Sequence, residues 1–184
     1  MSIGVQKLGI DGLLVIQPKV FGDARGYFFE SYNERDFAAA GIGQSFVQDN
    51  QSKSTKGVLR GLHFQKKHSQ AKLVRVIEGE VFDVAVDLRT DSPSFGKWEG
   101  VKLSGELQNQ FFIPQGFAHG FLVLSDTAVF AYKCMDFYHP DDEGGIPWND
   151  PEVGVAWPDI GMAPLLSPKD LVHPAFDPTA RYFK

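Results

Sequence analysis

The chain has 184 residues, sixteen of them phenylalanine, a net charge of −5 and one cysteine. This length allows one domain over residues 1–184 with a sizeable core. The net negative charge excludes a general affinity for nucleic acid or anionic membranes. The lone cysteine excludes an intrachain disulfide. Because no run approaches the roughly 20 apolar residues of a membrane-spanning helix and residues 1–12 lack a signal-peptide pattern, we expect a cytoplasmic protein.

Short β-like runs separated by Gly, Pro, Asn or Asp dominate the chain. In chain order they predict strands over residues 13–17, 27–32, 46–51, 57–65, 72–78, 80–88, 97–103, 110–114, 117–124 and 127–138. Many short strands at even spacing in one domain favour a sandwich or a jelly-roll barrel. The fold class that we predict is therefore mainly β.

The pair of runs at 72–78 and 80–88 carries the most specific strand signals. Glu78-Gly79 between them predicts the turn of a hairpin. Within the second run, the apolar residues at even positions from 82 to 88 alternate with Asp83 and Asp87. This alternation predicts a strand with one buried face and one solvated face.

Helix signals are few. Asn33 before ERDFAAA and Gly41 after it predict a helix of about two turns. Ser167-Pro168-Lys169-Asp170 has a capping residue, a proline at the first helical position and an acid three residues after the cap, which predicts a second helix start.

The stretch LRGLHFQ, residues 59–65, places Arg60 and His63 in one predicted strand. Residues three apart in a regular strand point to opposite faces. Either one of the two is an ordinary surface residue, or Gly61 marks a bulge that turns both toward one site. Residues 53–75 also carry seven basic and no acidic residues, which fits a local anion site or solvated lysines equally well.

GVLRGLHFQ (57–65) and PQGFAH (114–119) resemble the two signature stretches of the cupin superfamily, a double-stranded β-helix. The resemblance implies a jelly-roll barrel. In metal-binding cupins these stretches supply three His and one Glu, but here Gln65 and Gln70 stand at two of those positions, and only His63 and His119 remain. Two imidazoles without a carboxylate or thiolate make a poor divalent-metal site, so we expect no metal ligands.

Seven blocks in order resemble the dTDP-4-dehydrorhamnose 3,5-epimerase family over nearly the whole chain. They are FGDARGYFFESY (21–32), FVQDN (46–50), GVLRGLHFQ (57–65), KLVRV (72–76), GEVFDVAVDLR (79–89), IPQGFAHGF (113–121) and WNDP (148–151). The resemblance implies a metal-free cupin that inverts C3 and C5 of a dTDP-linked 4-keto-6-deoxyhexose in dTDP-L-rhamnose biosynthesis, a route to polysaccharides. No cofactor is expected, because the substrate's own ketone is the electron sink.

Epimerisation beside a ketone needs a base, a donor to the enolate oxygen and an acid on the opposite face. The resemblance implies His63 as the base, Asp170 as the carboxylate that orients it, Tyr132 as the acid and Lys72 as the enolate donor. From the residues alone, Asp170 equally suits a helix N-terminus, and Tyr132, alternating with neighbouring apolar residues, equally suits a core stripe.

The resemblance also implies a set of residues that line the nucleotide and sugar site. They are Phe21, Arg25, Glu30, Gln48, Asn50, Arg60, His119, Tyr138, Glu143 and Lys169. Among these, Arg60 suits a bidentate phosphate contact, and Tyr138 suits stacking on the thymine ring.

The family resemblance further implies a homodimer in which the N-terminal segment crosses to the partner, with residues 21–30 as the exchanged part. Three alternatives stay open: an epimerase that acts at only one carbon or a ketoisomerase, a metal-dependent cupin oxygenase, and a non-catalytic barrel that binds sugar nucleotides.

Overall fold

A computed structural model describes residues 3–183. Within them, thirteen strands and one α-helix follow one another as β1 (Gly4–Lys7), β2 (Leu14–Gln17), β3 (Phe21–Asp23), β4 (Gly26–Phe28), α1 (Glu34–Ala39), β5 (Gln48–Thr55), β6 (Leu59–Gln65), β7 (Lys72–Glu78), β8 (Glu80–Asp87), β9 (Trp98–Ser104), β10 (Gln110–Ile113), β11 (Phe117–Val123), β12 (Thr127–Cys134) and β13 (Glu143–Gly145). A 3₁₀ turn at Pro140–Asp142 precedes the last strand.

Two sheets hold most of the strands. One has the order β1-β2-β10-β7-β12-β5 and the other the order β13-β6-β11-β8-β9, while β3 and β4 form a separate ribbon. Every neighbouring pair within the sheets is antiparallel. This architecture confirms the predicted mainly β, cupin-like fold class.

The main hydrophobic core lies between the two sheets. Val74, Phe111 and Phe130 enter it from the six-stranded sheet, and Val81 and Phe121 enter it from the five-stranded sheet. Because both inner faces contribute, each sheet buries the apolar face of the other.

The outer faces of the sheets are also covered. Phe37 of α1 packs against the six-stranded sheet, and the segment with Trp157, Phe176 and Tyr182 packs against the outer face of the five-stranded sheet. Asn33 caps α1 by accepting hydrogen bonds from the backbone N–H of Arg35 and Asp36, as predicted.

The prediction of a hairpin at Glu78-Gly79 is wrong. Strand β7 pairs with β10 and β12, whereas β8 pairs with β11 and β9, so this turn carries the chain from one sheet to the other. The prediction of a solvated face on β8 is also wrong, since Asp83 and Asp87 are fully buried. Other segments pack against both faces of this sheet, so β8 lacks the solvent-facing side that the alternation predicted.

The prediction of a helix starting at Ser167 is wrong as well, because residues 168–171 form only turns. The strand expected over 27–32 ends at Phe28, and the strand expected over 127–138 ends at Cys134. None of the helices within residues 3–183 combines the length and apolar character that a bilayer crossing requires.

Candidate active site

A histidine–carboxylate pair lies at the centre of the site. His63 on β6 places Nε2 2.5 Å from Oδ1 of Asp170. The His63 side chain is one-third exposed, whereas that of Asp170 is buried. The two residues are far apart in the chain, so their contact depends on the C-terminal segment folding back over the five-stranded sheet.

Ser167 holds the second oxygen of Asp170. Its hydroxyl donates to Oδ2 at 2.7 Å, and the backbone N–H of Asp170 donates to the same hydroxyl at 3.3 Å. Burial would raise the pKa of Asp170, but the hydrogen bonds from His63 and Ser167 outweigh it and hold the pKa well below its ordinary value. The serine thus caps a turn and fixes an ionised carboxylate behind the imidazole.

Gly61 breaks the strand between Arg60 and His63. His119 of β11 lies opposite His63, but Phe121 lies opposite Arg60, so the pairing slips by one residue. Gly61 has φ +119, and a Cβ there would lie 2.6 Å from the Cα of Gly120, which leaves glycine as the residue that fits. As a result Arg60 and His63 line the same cavity, as the bulge reading of this stretch predicts.

Lys72 and Tyr132 approach from the opposite sheet. Lys72 lies on β7 and Tyr132 on the adjacent β12, and the lysine Nζ is 6.0 Å from the centre of the tyrosine ring. Burial raises the pKa of Tyr132, so its phenol keeps its proton. Burial lowers the pKa of Lys72, against the opposing influence of Cys134 and Asp83.

His119 forms a second buried pair that the sequence did not indicate. Its Nε2 lies 2.9 Å and 3.0 Å from the carboxylate oxygens of Asp83. Burial lowers the pKa of His119 and raises that of Asp83, since the low-dielectric surroundings disfavour both charged forms. Asp83 therefore orients a cavity-lining imidazole, as Asp170 does for His63.

The site has two cavities with shared lining residues, here called its first and second lobes. The first, of about 420 Å³, is lined by residues that include Arg60, His119 and Asp170. The second, of about 360 Å³, is lined by residues that include Gln48 and Tyr138. Four side chains line both lobes: Asn50, His63, Lys72 and Tyr132. The imidazole and the phenol therefore face one shared space.

The second lobe gathers more of the expected substrate-binding residues. The Gln48 amide donates to Asn50 Oδ1 at 3.1 Å, and Gln48 Oε1 accepts from the backbone N–H of Tyr138 at 3.0 Å. The Tyr138 ring is half exposed at the rim. Glu143 lines this lobe, and its carboxylate pairs with the Lys169 ammonium, which lines the first lobe.

Three of the expected substrate-binding residues lie outside both lobes. Phe21 is 43% exposed on the β3–β4 ribbon. The side chain of Arg25 is 90% exposed and pairs with Asp23. Glu30 follows the ribbon and lines neither lobe. Within one chain, the segment that we expected to cross to a partner does not reach the site.

Gln65 and Gln70, which stand where metal-binding cupins carry ligands, form hydrogen bonds within the protein. The Gln65 amide donates to the carbonyl of His68 and accepts from the backbone N–H of His139. The Gln70 amide donates to the carbonyl of Asp136. With His119 bound to Asp83, these side chains serve to order the cavity wall.

Sequence reasoning missed Asp83, Cys134 and His173 as residues of this region. Cys134 lines the second lobe and accepts a hydrogen bond from Asn50 at 3.7 Å. The ring of His173 lies edge-on to that of His63, with 5.4 Å between ring centres. For Asp83, the alternation of apolar and acidic residues on β8 was the available signal. A carboxylate between apolar residues needs a hydrogen-bond partner once its strand is buried.

Comparison with known proteins supports the same family that the motifs resemble. A family model described as dTDP-4-dehydrorhamnose 3,5-epimerase matches residues 7–178. The chain is 57% identical over 171 residues to the dTDP-4-dehydrorhamnose 3,5-epimerase of Pseudomonas aeruginosa, covering 92% of this chain and 94% of that protein.

Solved structures agree with this assignment. A dTDP-6-deoxy-D-glucose-3,5-epimerase from Legionella pneumophila, in complex with dTDP-4-keto-L-rhamnose, superposes with a TM-score of 0.89 at 54% identity, covering 92% of this chain and 90% of that one. A 3′-monoepimerase from Streptomyces bikiniensis, in complex with dTDP-quinovose, superposes with a TM-score of 0.86 at 35% identity, covering 92% and 86%. The chain belongs to the dTDP-4-dehydrorhamnose 3,5-epimerase family and is an isomerase that acts on carbohydrates.

Proposed function

We propose that the protein inverts C3 and C5 of dTDP-4-dehydro-6-deoxy-D-glucose, giving dTDP-4-dehydro-L-rhamnose. The observation that carries this proposal is the shared cavity in which His63, Lys72 and Tyr132 converge from two sheets. A ketosugar between these side chains would have a base on one side, an acid on another and a donor near its carbonyl.

His63 is the base in this proposal. Its Nε2–H donates to Asp170, which leaves Nδ1 free to accept the proton from the carbon beside the ketone. The ionised carboxylate then stabilises the imidazolium that forms. The electron pair of the broken C–H bond moves into the C4 carbonyl, producing an enolate.

Lys72 would stabilise that enolate by donating an N–H to its oxygen. Tyr132 would return a proton to the carbon from the opposite face, and its raised pKa keeps the phenol protonated until the carbanion-like centre forms. The product ketone is regenerated, the imidazolium of His63 releases its proton to solvent, and the phenolate of Tyr132 takes one up from solvent. The same sequence at the second carbon then completes the double inversion. The ketone is the electron sink throughout, so the proposed steps use only residues of this chain.

The other residues that line the two lobes suit a nucleoside diphosphate. Arg60 and Lys169 line the first lobe and supply positive charge for phosphate oxygens. His119, Gln48, Asn50 and Glu143 would position the sugar and nucleoside by hydrogen bonds, and the exposed Tyr138 ring would stack on the thymine.

We also propose a homodimer in which Phe21, Arg25 and Glu30 act in the partner's site. Phe21 and Arg25 are exposed on the separate two-stranded ribbon, and Glu30 follows it without lining either lobe of its own chain, which supports a role in the partner. Exposed edge strands favour such pairing. A cytoplasmic location is proposed from the lone cysteine and from the activated sugar nucleotide that the family uses.

The second candidate function is epimerisation at one carbon only. It is favoured by the similarity to the 3′-monoepimerase, because the same dyad and phenol could serve one inversion. Incubation with dTDP-4-keto-6-deoxyglucose in D₂O, followed by NMR, separates the two functions. We expect deuterium at both C3 and C5, whereas label at one carbon would support the single-site enzyme and label at neither would refute the epimerase.

The matched variants for this experiment are His63→Asn and His68→Asn. His63→Asn should fold and lose exchange at both carbons by a factor of about 10² or more, since the base is gone. His68 is an exposed histidine that also pairs with a carboxylate, that of Asp142, but lines neither lobe. Its replacement should leave exchange within a few-fold of the unmodified protein. Exchange that persisted equally in the two variants would rule out His63 as the base, and its absence from the unmodified protein as well would support a non-catalytic barrel.

A further inference from the structure

The carboxylate of Asp170 has a second imidazole beside it. Nε2 of His173 lies 3.7 Å from Asp170 Oδ1, the same oxygen that receives His63 at 2.5 Å. The nitrogen and oxygen donor atoms of these three side chains all lie within 4.8 Å of one another. None of the roles described above uses His173.

The side chain of His173 is largely withdrawn from solvent, and its Nε2 has no hydrogen-bond partner in the part of the chain that the structure describes. The side chain is only 9% exposed, and within residues 3–183 Nε2 is one of the few buried side-chain atoms without a hydrogen bond. An unsatisfied buried nitrogen carries an energetic penalty that a ligand would relieve.

Gly145 makes the space for this ring. It lies directly opposite His63 in the pairing of β13 with β6. A Cβ at that position would lie 2.4–2.6 Å from three atoms of the His173 ring. The glycine therefore lets the second imidazole reach the dyad.

We propose that His63, Asp170 and His173 form a Zn²⁺ site whose occupation switches off proton transfer by His63. Two imidazoles and one carboxylate are a common zinc ligand set, with water completing the tetrahedron. Zinc–ligand distances near 2.1 Å in a tetrahedron place ligand atoms roughly 3.4 Å apart. The 3.7 Å separation of His173 and Asp170 is near that value, whereas the 2.5 Å hydrogen bond between His63 and Asp170 must open by about 0.9 Å to admit the ion. The site shares only His63 with the cupin signature positions, since Asp170 and His173 come from the C-terminal segment.

The chemistry of the three side chains suits a divalent cation. Each imidazole offers a ring-nitrogen lone pair, and the carboxylate offers an anionic oxygen. His173 also lines a further cavity of about 450 Å³ that neither His63 nor Tyr132 lines. Lys66, Lys169 and Arg181 line that cavity too, and their positive charges oppose cation binding.

Inhibition follows from the imidazole tautomer. Zinc at Nε2 of His63 needs the lone pair of that nitrogen, so the single ring proton moves from Nε2 to Nδ1. Nδ1–H can no longer accept the proton of the substrate. Because the ion lies between His63 and Asp170, on the ring edge away from Nδ1, the substrate still binds.

The test uses the full-length protein, ZnCl₂ and the variant His173→Phe. Isothermal titration calorimetry without substrate should show one site in the unmodified protein, with affinity lost by about 10- to 100-fold in the variant. Phenylalanine keeps a ring over Gly145. If His173→Phe does not fold, His173→Gln replaces it in the same measurement. Equal zinc affinity in the unmodified protein and the folded variant, or no binding in either, would overturn the site.

Kinetic measurements test the inhibition of catalysis by zinc, which rests on the proposed function. Calorimetry tests zinc binding itself and does not depend on that function. Zinc should lower kcat of the unmodified enzyme with little change in KM, EDTA should reverse the loss, and His173→Phe should resist the same zinc concentration. A rise in KM alone, equal in both proteins, would mean that zinc binds the diphosphate of the substrate and would overturn the inhibitory role.

Discussion

At the scale of single residues, burial decides what each polar side chain does. Asp83, Asp87 and Asp170 are all buried, yet each has a different partner: an imidazole, a guanidinium and the dyad histidine. A carboxylate removed from water needs such compensation. The sequence shows the carboxylates, but their partners lie on other strands or loops.

Asp87 provides a residue-scale prediction about acid stability. It accepts hydrogen bonds from Arg89, Ser92 and Ser94. Burial would raise its pKa, but these bonds outweigh burial and lower it. A folded-state pKa below the unfolded value means that the carboxylate stabilises the fold at neutral pH, and that this stabilisation is lost as the pH falls below about 4.

Asp87→Asn should therefore lower the free energy of unfolding at pH 7 by roughly 2 kcal/mol. The difference from the unmodified protein should shrink as the pH falls from about 4. Urea unfolding at several pH values measures both effects, with exposed Asp126→Asn as the control that should change little. A deficit that stayed constant down to pH 3 would contradict the linkage.

At the scale of the elements, the bulge at Gly61 connects strand geometry to the site. A regular β6 would send Arg60 and His63 to opposite faces, and the one-residue slip against β11 brings both to one cavity. The sequence allows this reading because a glycine interrupts an apolar strand, although it allows the ordinary alternation as well.

Gly61→Ala should damage both stability and activity. Its φ of +119 disfavours any residue with a Cβ, and the new atom would meet the backbone of Gly120 at 2.6 Å. We expect a loss of about 2 kcal/mol or more in the free energy of unfolding, together with loss of deuterium exchange in the folded fraction. Thermal unfolding and the D₂O assay measure the two effects.

Gly43 offers a matched control, since a Cβ there meets nothing within 4 Å. Gly43→Ala should be neutral or slightly stabilising. If both alanine variants behaved alike, close packing at the bulge would not be the reason for glycine at position 61.

The predicted hairpin shows how far local patterns go at this scale. The bounds of β7 were predicted to the residue, and those of β8 to within one. Their partners were not, because a Glu-Gly turn between two apolar strands suits a hairpin and a crossing between sheets equally well. The choice depends on β10, β11 and β12, which lie far along the chain and bury the two strands in different sheets.

At the scale of the whole molecule, the proposed dimer completes the site. Residues 21–30 lie outside the cavity of their own chain, so the proposal places them in the partner's cavity. Two inactive variants can test this: His63→Asn damages the base, and Arg25→Glu damages the donated segment.

Mixing and exchanging the two variants should restore about a quarter of the unmodified activity. In a random mixture half of the dimers are mixed, and each of these has one intact site that combines His63 of one protomer with Arg25 of the other. Activity in the D₂O assay and dimer exchange by native mass spectrometry provide the measurements. No recovery despite exchange would mean that Arg25 acts in its own chain.

The amino-acid sequence by itself determined the β character, most strand positions, the α1 cap and the motifs that place the chain in its family. These follow from local periodicity and from short runs of residues, which can be read along the chain. Only the tertiary structure decided which strands pair, that β8 is buried on both faces, that Ser167 caps a turn instead of a helix, and that His173 lies beside the dyad. Each of these depends on a contact between distant segments, because packing of the two sheets and the C-terminal segment sets which polar groups lose water and which partners they meet.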